Sequence, residues 1–254
     1  MRHGDFSELA DHYAKHRPDY APAVVETLVQ LARGRTGDGR TPRAVDVGAG
    51  TGIFTRMLQQ AGCLCAAVEP CDEMRAQGAA LSPAIEFRSG SAEHVDLAAG
   101  SADLVTMASS FHWADFEAAV ATFDRLLVER GIFAAVWNPR DLDPSPLLQE
   151  IEAHLHALVP ELRRVSSGRS ELTAGLEARL RAVGCFRDVL YLEGRHVIPM
   201  ERERYLGAWR SVNDVRVQAG EKRFTEFLAY VEERTADLAR IEAHYLTRAW
   251  VALK

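Results

Sequence analysis

Short apolar runs alternate with amphipathic stretches along most of this chain, the order in which strands and helices succeed one another in a parallel sheet covered by helices. Residues 44–47, 64–68, 85–87, 104–108 and 132–137 read as strands. Helices are expected to begin near Gly52, Asp72 and Asp115. Pro22 suits the first turn of an earlier helix, where its missing N–H would have no partner anyway, and residues 23–32 keep helical spacing up to Gly34. The polar, glycine-rich stretch 34–42 is a connector, since one helix ahead of the first strand makes too small a core to fold alone.

Beyond Pro139 the pattern changes. Residues 147–158, 172–183 and 224–238 carry helical spacing, while 189–198 and 243–253 look extended. In the last of these, Tyr245, Thr247, Ala249, Val251 and Leu253 alternate with His244, Leu246, Arg248, Trp250 and Ala252. One face can therefore be core and the other partly covered. Seven strands result, with no internal repeat and no low-complexity tail.

Composition adds limits. A length of 254 residues, 47% apolar and 26% charged, fits one large α/β domain. The 30 basic and 36 acidic side chains leave a net charge of −6, so the electrostatic footprint of a nucleic-acid binder is missing. Apolar runs such as IFAAVW (132–137) fall far short of the roughly 18 residues a membrane-spanning helix needs. The start, MRHGDFSELADHY, has no apolar stretch of signal-peptide length, so a soluble, cytoplasmic protein is expected. Cys63, Cys65, Cys71 and Cys185 then read as thiols. Cys63 and Cys65 lack a second ligand pair at metal-site spacing, and His154 and His156 point different ways on a helix, so no metal is expected. The 27 arginines against three lysines hint at a GC-rich bacterial genome.

The strongest local signal is AVDVGAGTGIFTRML (44–58), a hydrophobic strand ending in a glycine-rich turn (Gly48, Gly50, Gly52) that opens into a helix. Backbone N–H groups and the positive helix end then face a nucleotide-type ligand. Gly52 is followed by Ile53, with no Gly-Lys pair, so a phosphate-cradling P-loop is excluded. The third glycine falls four residues after the first rather than five, which weakens a dinucleotide reading without abolishing it.

Asp46 and the three glycines resemble motif I of class I S-adenosylmethionine (SAM) dependent methyltransferases. The resemblance extends to Glu69, 21 residues after Gly48, whose carboxylate can accept from both ribose hydroxyls. It continues through Pro70 and Met74, which would line the adenine, and through GSAEHV (90–95), whose Ser91, Ala92 and Glu93 would border the adenine edge. Family members often carry aspartate where Ser91 stands, and a neutral acceptor holds an exocyclic amine less firmly. FSELADHYAKHRPDY (6–20) and SSFHWAD (109–115) resemble the methyltransferase type 11 subgroup that includes trans-aconitate methyltransferases and small-molecule tailoring enzymes. The likeness implies a Rossmann-like seven-stranded sheet, mostly parallel with an antiparallel last strand, helices on both faces and helical lid insertions. It also implies one methyltransferase domain over 1–254: helices over the cofactor at 1–42, a SAM-binding core at 43–138, and lid helices with the last two strands at 139–254. Tyr13 and Arg17 would contact the methionine part, Arg17 through its carboxylate, and Ser109 would border the cofactor.

Methyl transfer from a sulfonium is an in-line displacement, so the protein mainly aligns and desolvates the reactants. The acceptor belongs beyond the carboxyl ends of strands 104–108 and 132–137. His112 is the candidate general base for a phenol, alcohol or ammonium, or an orienting group together with Trp113 for a carboxylate, which needs no base. Trp137 and Trp209 are candidate pocket walls, and 200–238 with 147–183 a candidate lid. The expected partner is a small-molecule acceptor methylated on oxygen or nitrogen, with carbon also open; oligomeric state is not readable. An NAD-dependent oxidoreductase and a catalytically silent SAM-binding subunit stay as rivals.

Overall fold

The computed structural model describes residues 15–37, 39–163 and 171–254. The elements run α1 (Pro22–Thr36), β1 (Arg43–Val47), α2 (Ile53–Gln60), β2 (Leu64–Val68), α3 (Asp72–Leu81), β3 (Glu86–Arg88) and β4 (Ala102–Ala108). A single 3-10 turn (Phe111–Trp113) leads to α4 (Phe116–Leu126), β5 (Leu127–Trp137) and α5 (Pro146–Leu158). After α6 (Glu171–Ala174) and α7 (Leu176–Ala182) come β6 (Asp188–Glu201), α8 (Arg202–Arg210), α9 (Asn213–Arg234) and β7 (Arg240–Leu253).

One seven-stranded sheet has the order β3-β2-β1-β4-β5-β7-β6. β1 to β5 pair in parallel, and β7 alone runs against its neighbours β5 and β6. Strand alternation sorts the core into two layers. Ile132, Ala134 and Val136 of β5 pack with α1 and α2 on one face. Phe133, Ala135 and Trp137 pack with α4 and α7 on the other. β7 does the same, sending Ala249 and Val251 to the first layer and Trp250 and Ala252 to the second, so both of its faces are core. A third cluster gathers α5, α8, α9 and the start of β7, beyond the carboxyl ends of the parallel strands.

Local chemistry sets the helix ends. Pro22 opens α1, and Gly37, at φ 71°, closes it in the left-handed region. The Asp115 carboxylate accepts the Ala118 N–H at the start of α4, and the Ser145 hydroxyl accepts the Leu148 N–H ahead of Pro146 in α5. Three expectations need correction. β5 begins at Leu127, five residues before the apolar run, because the polar Glu129–Gly131 stretch is carried along a register shift opposite Ala102 and Leu104. The helix expected at 172–183 is two short ones, α6 and α7. The helix expected from Phe224 starts at Asn213 and is broken at Gly220, where φ 72° and ψ 163° leave helical space.

Among the described residues no helix is long and apolar enough to cross a membrane. Cys63 and Cys65 belong to the α1/α2 layer, Cys63 with 4% of its surface exposed. Burial pushes the Cys63 thiol up to about 11 and raises Cys65 further.

Candidate functional site

β1 ends at Val47 and the chain turns through Gly48, Gly50 and Gly52, at φ 66°, 58° and 80°. L side chains rarely adopt these values. A Cβ at Gly48 would stand 2.7 Å from Ser110 Oγ, so the turn has no room for one. The Gly48 and Ala49 N–H groups donate to the Val68 carbonyl at 2.8 and 3.1 Å, which ties the turn to the end of β2. There stands Glu69, 7% exposed. Its Oε2 accepts the Gly50 N–H at 2.7 Å and its Oε1 the Cys71 N–H at 2.9 Å. Burial raises its pKa, against the opposing pull of these two N–H groups and of Arg75. Each oxygen keeps lone-pair capacity for a ligand, and the backbone has already fixed the carboxylate's direction.

Asp46 sits one layer deeper and is not on the cavity wall. With 1% exposure it accepts the Thr55 hydroxyl at 2.6 Å and the Thr106 hydroxyl at 2.7 Å, knitting β1 to α2 and β4 beneath the turn. Burial pushes its pKa up to about 6 despite both hydroxyls.

Above the turn opens a cavity of about 380 Å³. Arg17, Gly48, Gly50, Glu69, Pro70, Met74, Ser91, Ala92, Glu93 and Ser109 line it, as does Trp113. The Glu93 carboxylate also accepts the Asp115 N–H at 2.9 Å, so the 90–95 loop is anchored to the start of α4. Gly52 is not on the wall; it opens α2, and a Cβ there would meet the Phe87 ring at 2.7 Å. Tyr13 lies outside the described residues.

Trp137 and Trp209 do not supply the expected walls, for both are fully buried. Trp137 occupies an inward position of β5, edge-on to Trp250 at 5.6 Å. Trp209 packs edge-on against Phe227 at 5.1 Å, with the Arg140 guanidinium 3.5 Å from its ring centre. Large rings bury where the most apolar area leaves water, here the cores on either side of the sheet end.

Several wall residues escaped sequence reasoning: Pro18, Tyr20, Phe54, Met107, Ser110 and Asn138. The Tyr20 hydroxyl lies 2.9 Å from Ser109 Oγ, and its ring meets Phe54 edge-on at 4.8 Å. Ser109 holds φ 54°, a strained value for a residue with a Cβ, while its N–H donates to the Val136 carbonyl at 2.7 Å. Asn138 carried a usable signal, a polar residue directly after a fully buried strand end.

His112 sits in the 3-10 turn after β4, behind the Trp113 ring (centroids 4.5 Å apart) and off the cavity wall. Trp137 Nε1–H donates to His112 Nδ1 at 3.4 Å. An indole nitrogen can only donate, so Nδ1 is the unprotonated nitrogen and Nε2 carries the hydrogen. Nε2 is buried without a hydrogen-bond partner. Burial lowers the pKa to about 4, with the Asp214 carboxylate pulling weakly the other way. Among the described residues no group of three or more His, Cys, Asp or Glu side chains is arranged to hold a metal ion.

Residues 45–135 match the methyltransferase domain family Methyltransf_11. An uncharacterized methyltransferase of Mycobacterium tuberculosis (strain H37Rv) is 33% identical over 136 residues, 54% of this chain and 53% of that protein. One from Schizosaccharomyces pombe is 32% identical over 136 residues, 53% of this chain and 52% of its own length. The matched region thus spans about half the length of these curated relatives. Among solved structures, a putative type II methyltransferase from Anaeromyxobacter dehalogenans superposes with TM-score 0.64 at 21% identity, covering 93% of this chain and 97% of that one. Haemonchus contortus phosphoethanolamine N-methyltransferase 2, solved with SAM, gives 0.54 at 13% identity, over 98% of this chain and 57% of that one. Glycine turn, strand order and relatives point the same way: residues 45–135 are similar to the methyltransferase domain family, and the fold as a whole is similar to that of solved methyltransferases.

Proposed function

We propose that this protein transfers a methyl group from SAM to a small-molecule acceptor, on oxygen or nitrogen. The observation that carries the reading is Glu69: a buried carboxylate, aimed by the Gly50 and Cys71 N–H groups, on the wall of a cavity next to the glycine backbone. A vicinal diol satisfies the remaining lone pairs of such a carboxylate, and the nucleoside of SAM presents one. In this reading Pro70, Met74 and Ala92 enclose the adenine, and Ser91 and Glu93 lie at its polar edge. Arg17 takes the methionine carboxylate, with Tyr20 and Ser109 beside it. SAM itself supplies the electrophilic methyl group.

His112 acts here as an orienting donor. Its acceptor nitrogen is engaged by Trp137, and a pKa near 4 leaves little basicity at neutral pH. Its Nε2–H needs an oxygen or nitrogen lone pair, which an acceptor entering beyond Trp113 would bring. Calorimetric titration with SAM and with NAD separates this proposal from an oxidoreductase: SAM should bind and NAD should not, whereas NAD binding without SAM binding would end it. Transfer of radiolabelled methyl to a panel of phenols, amines and carboxylic acids distinguishes an enzyme from a silent binding subunit.

A further inference from the structure

Residues 17–21 form a strap across the cavity mouth, contributing Arg17, Pro18 and Tyr20 to the wall. They belong to no helix or strand until α1 begins. What holds this backbone is a chain of hydrogen bonds with one permitted direction. The Ala21 N–H donates to Thr247 Oγ1 at 2.7 Å, which obliges that oxygen to accept. The Thr247 hydroxyl then donates to Asn138 Oδ1 at 2.8 Å, which turns the amide so that Nδ2–H donates to the Asp19 carbonyl at 2.9 Å. His196 Nε2–H reaches the same carbonyl at 2.8 Å. The strap's far end is pinned by Arg17, whose guanidinium donates to the Ser211 carbonyl at 2.8 Å.

Thr247 is fully buried and is not on the cavity wall. We propose that Thr247 is a positioning residue of the cofactor site, acting through Asn138 and the Ala21 N–H to hold the strap closed over the ligand. The loop 19–138–247–21 closes on itself, so one hydroxyl orders a side-chain amide from β5's end and two backbone groups of the strap together. Removing it leaves the buried Ala21 N–H without a partner and the half-buried Asn138 amide oxygen without its donor. The strap is then shut for a smaller fraction of the time, and apparent affinity falls by that fraction.

This rests on the SAM reading above, and the test separates the two. Thr247→Val keeps the shape and deletes the hydroxyl; Thr247→Ser keeps the hydroxyl. S-adenosylhomocysteine titration should show affinity about tenfold weaker in Thr247→Val, with Thr247→Ser within about twofold of the parent. Amide exchange on the unliganded proteins should be faster in residues 17–21 of Thr247→Val alone, with β1 and β4 unchanged. Unchanged affinity with unchanged exchange, or equal loosening everywhere, would overturn the proposal. A parent that fails to bind S-adenosylhomocysteine would overturn the SAM reading, while the exchange data would still judge the latch.

Discussion

The place of Glu69 on the cavity wall was legible in the sequence because it depends on spacing: the distance from the first glycine puts it at the end of the neighbouring strand whatever the loops do. Glu69→Ala removes the carboxylate proposed to accept from the ribose and frees the Gly50 N–H. Calorimetry should show SAM affinity falling on the order of 10- to 100-fold, with Glu69→Gln between. Tyr20 was not legible, since it reaches the cavity only because the strap is folded back onto β7, a contact between residues 21 and 247 that no local pattern encodes. The sequence left His112 open as a base or an orienter; the Trp137 indole that fixes its tautomer is a neighbour only in space. With an acceptor in hand, His112→Ala should lose methyl transfer by a factor that does not recover at high pH. Recovery above pH 7 in the kcat profile would restore the base.

At the scale of elements, the three glycines make the turn a part that tolerates no Cβ. Gly48→Ala faces both a positive φ and Ser110, and should abolish measurable SAM binding while shifting the urea midpoint only modestly. Trp209→Ala should do the reverse. It leaves a large hole between α8, α9 and Arg140, for a loss of roughly 3–5 kcal/mol in urea unfolding, with the cofactor wall untouched. Strands buried on both faces announced themselves as apolar runs, as in β1 and β4. The first half of β5 did not, because Glu129 and Arg130 are exposed there and pairing alone makes them strand. α8 blurred into a general lid because it is rich in charge and starts directly from β6, without a glycine or proline to mark the join.

For the molecule as a whole, two buried groups pull stability in opposite directions with pH. His112 titrates near 4 in the fold against about 6.5 unfolded, so between these values the unfolded chain holds more protons and stability drains away as pH falls. Asp46 titrates near 6 against about 3.9 unfolded, so the fold holds the extra proton there and the contribution is lost as pH rises through 6. His112→Asn should therefore flatten the acid side of a stability curve measured by urea unfolding from pH 7 to 4. Saturating SAM, at about 100 times its Kd, should raise the melting temperature by roughly 5–10 °C.

The placement of β7 has one more consequence. It follows β6 in the chain yet lies between β5 and β6, so β6 emerges from the ribosome ahead of the strand it pairs with among the described residues. Until residue 240 and its successors are made, the nascent product leaves open the two hydrogen-bonding edges that β7 later covers, one of them on a strand 14 residues long. Closure is consequently a late event in biosynthesis, and products terminated before that point are candidates for chaperone capture or degradation.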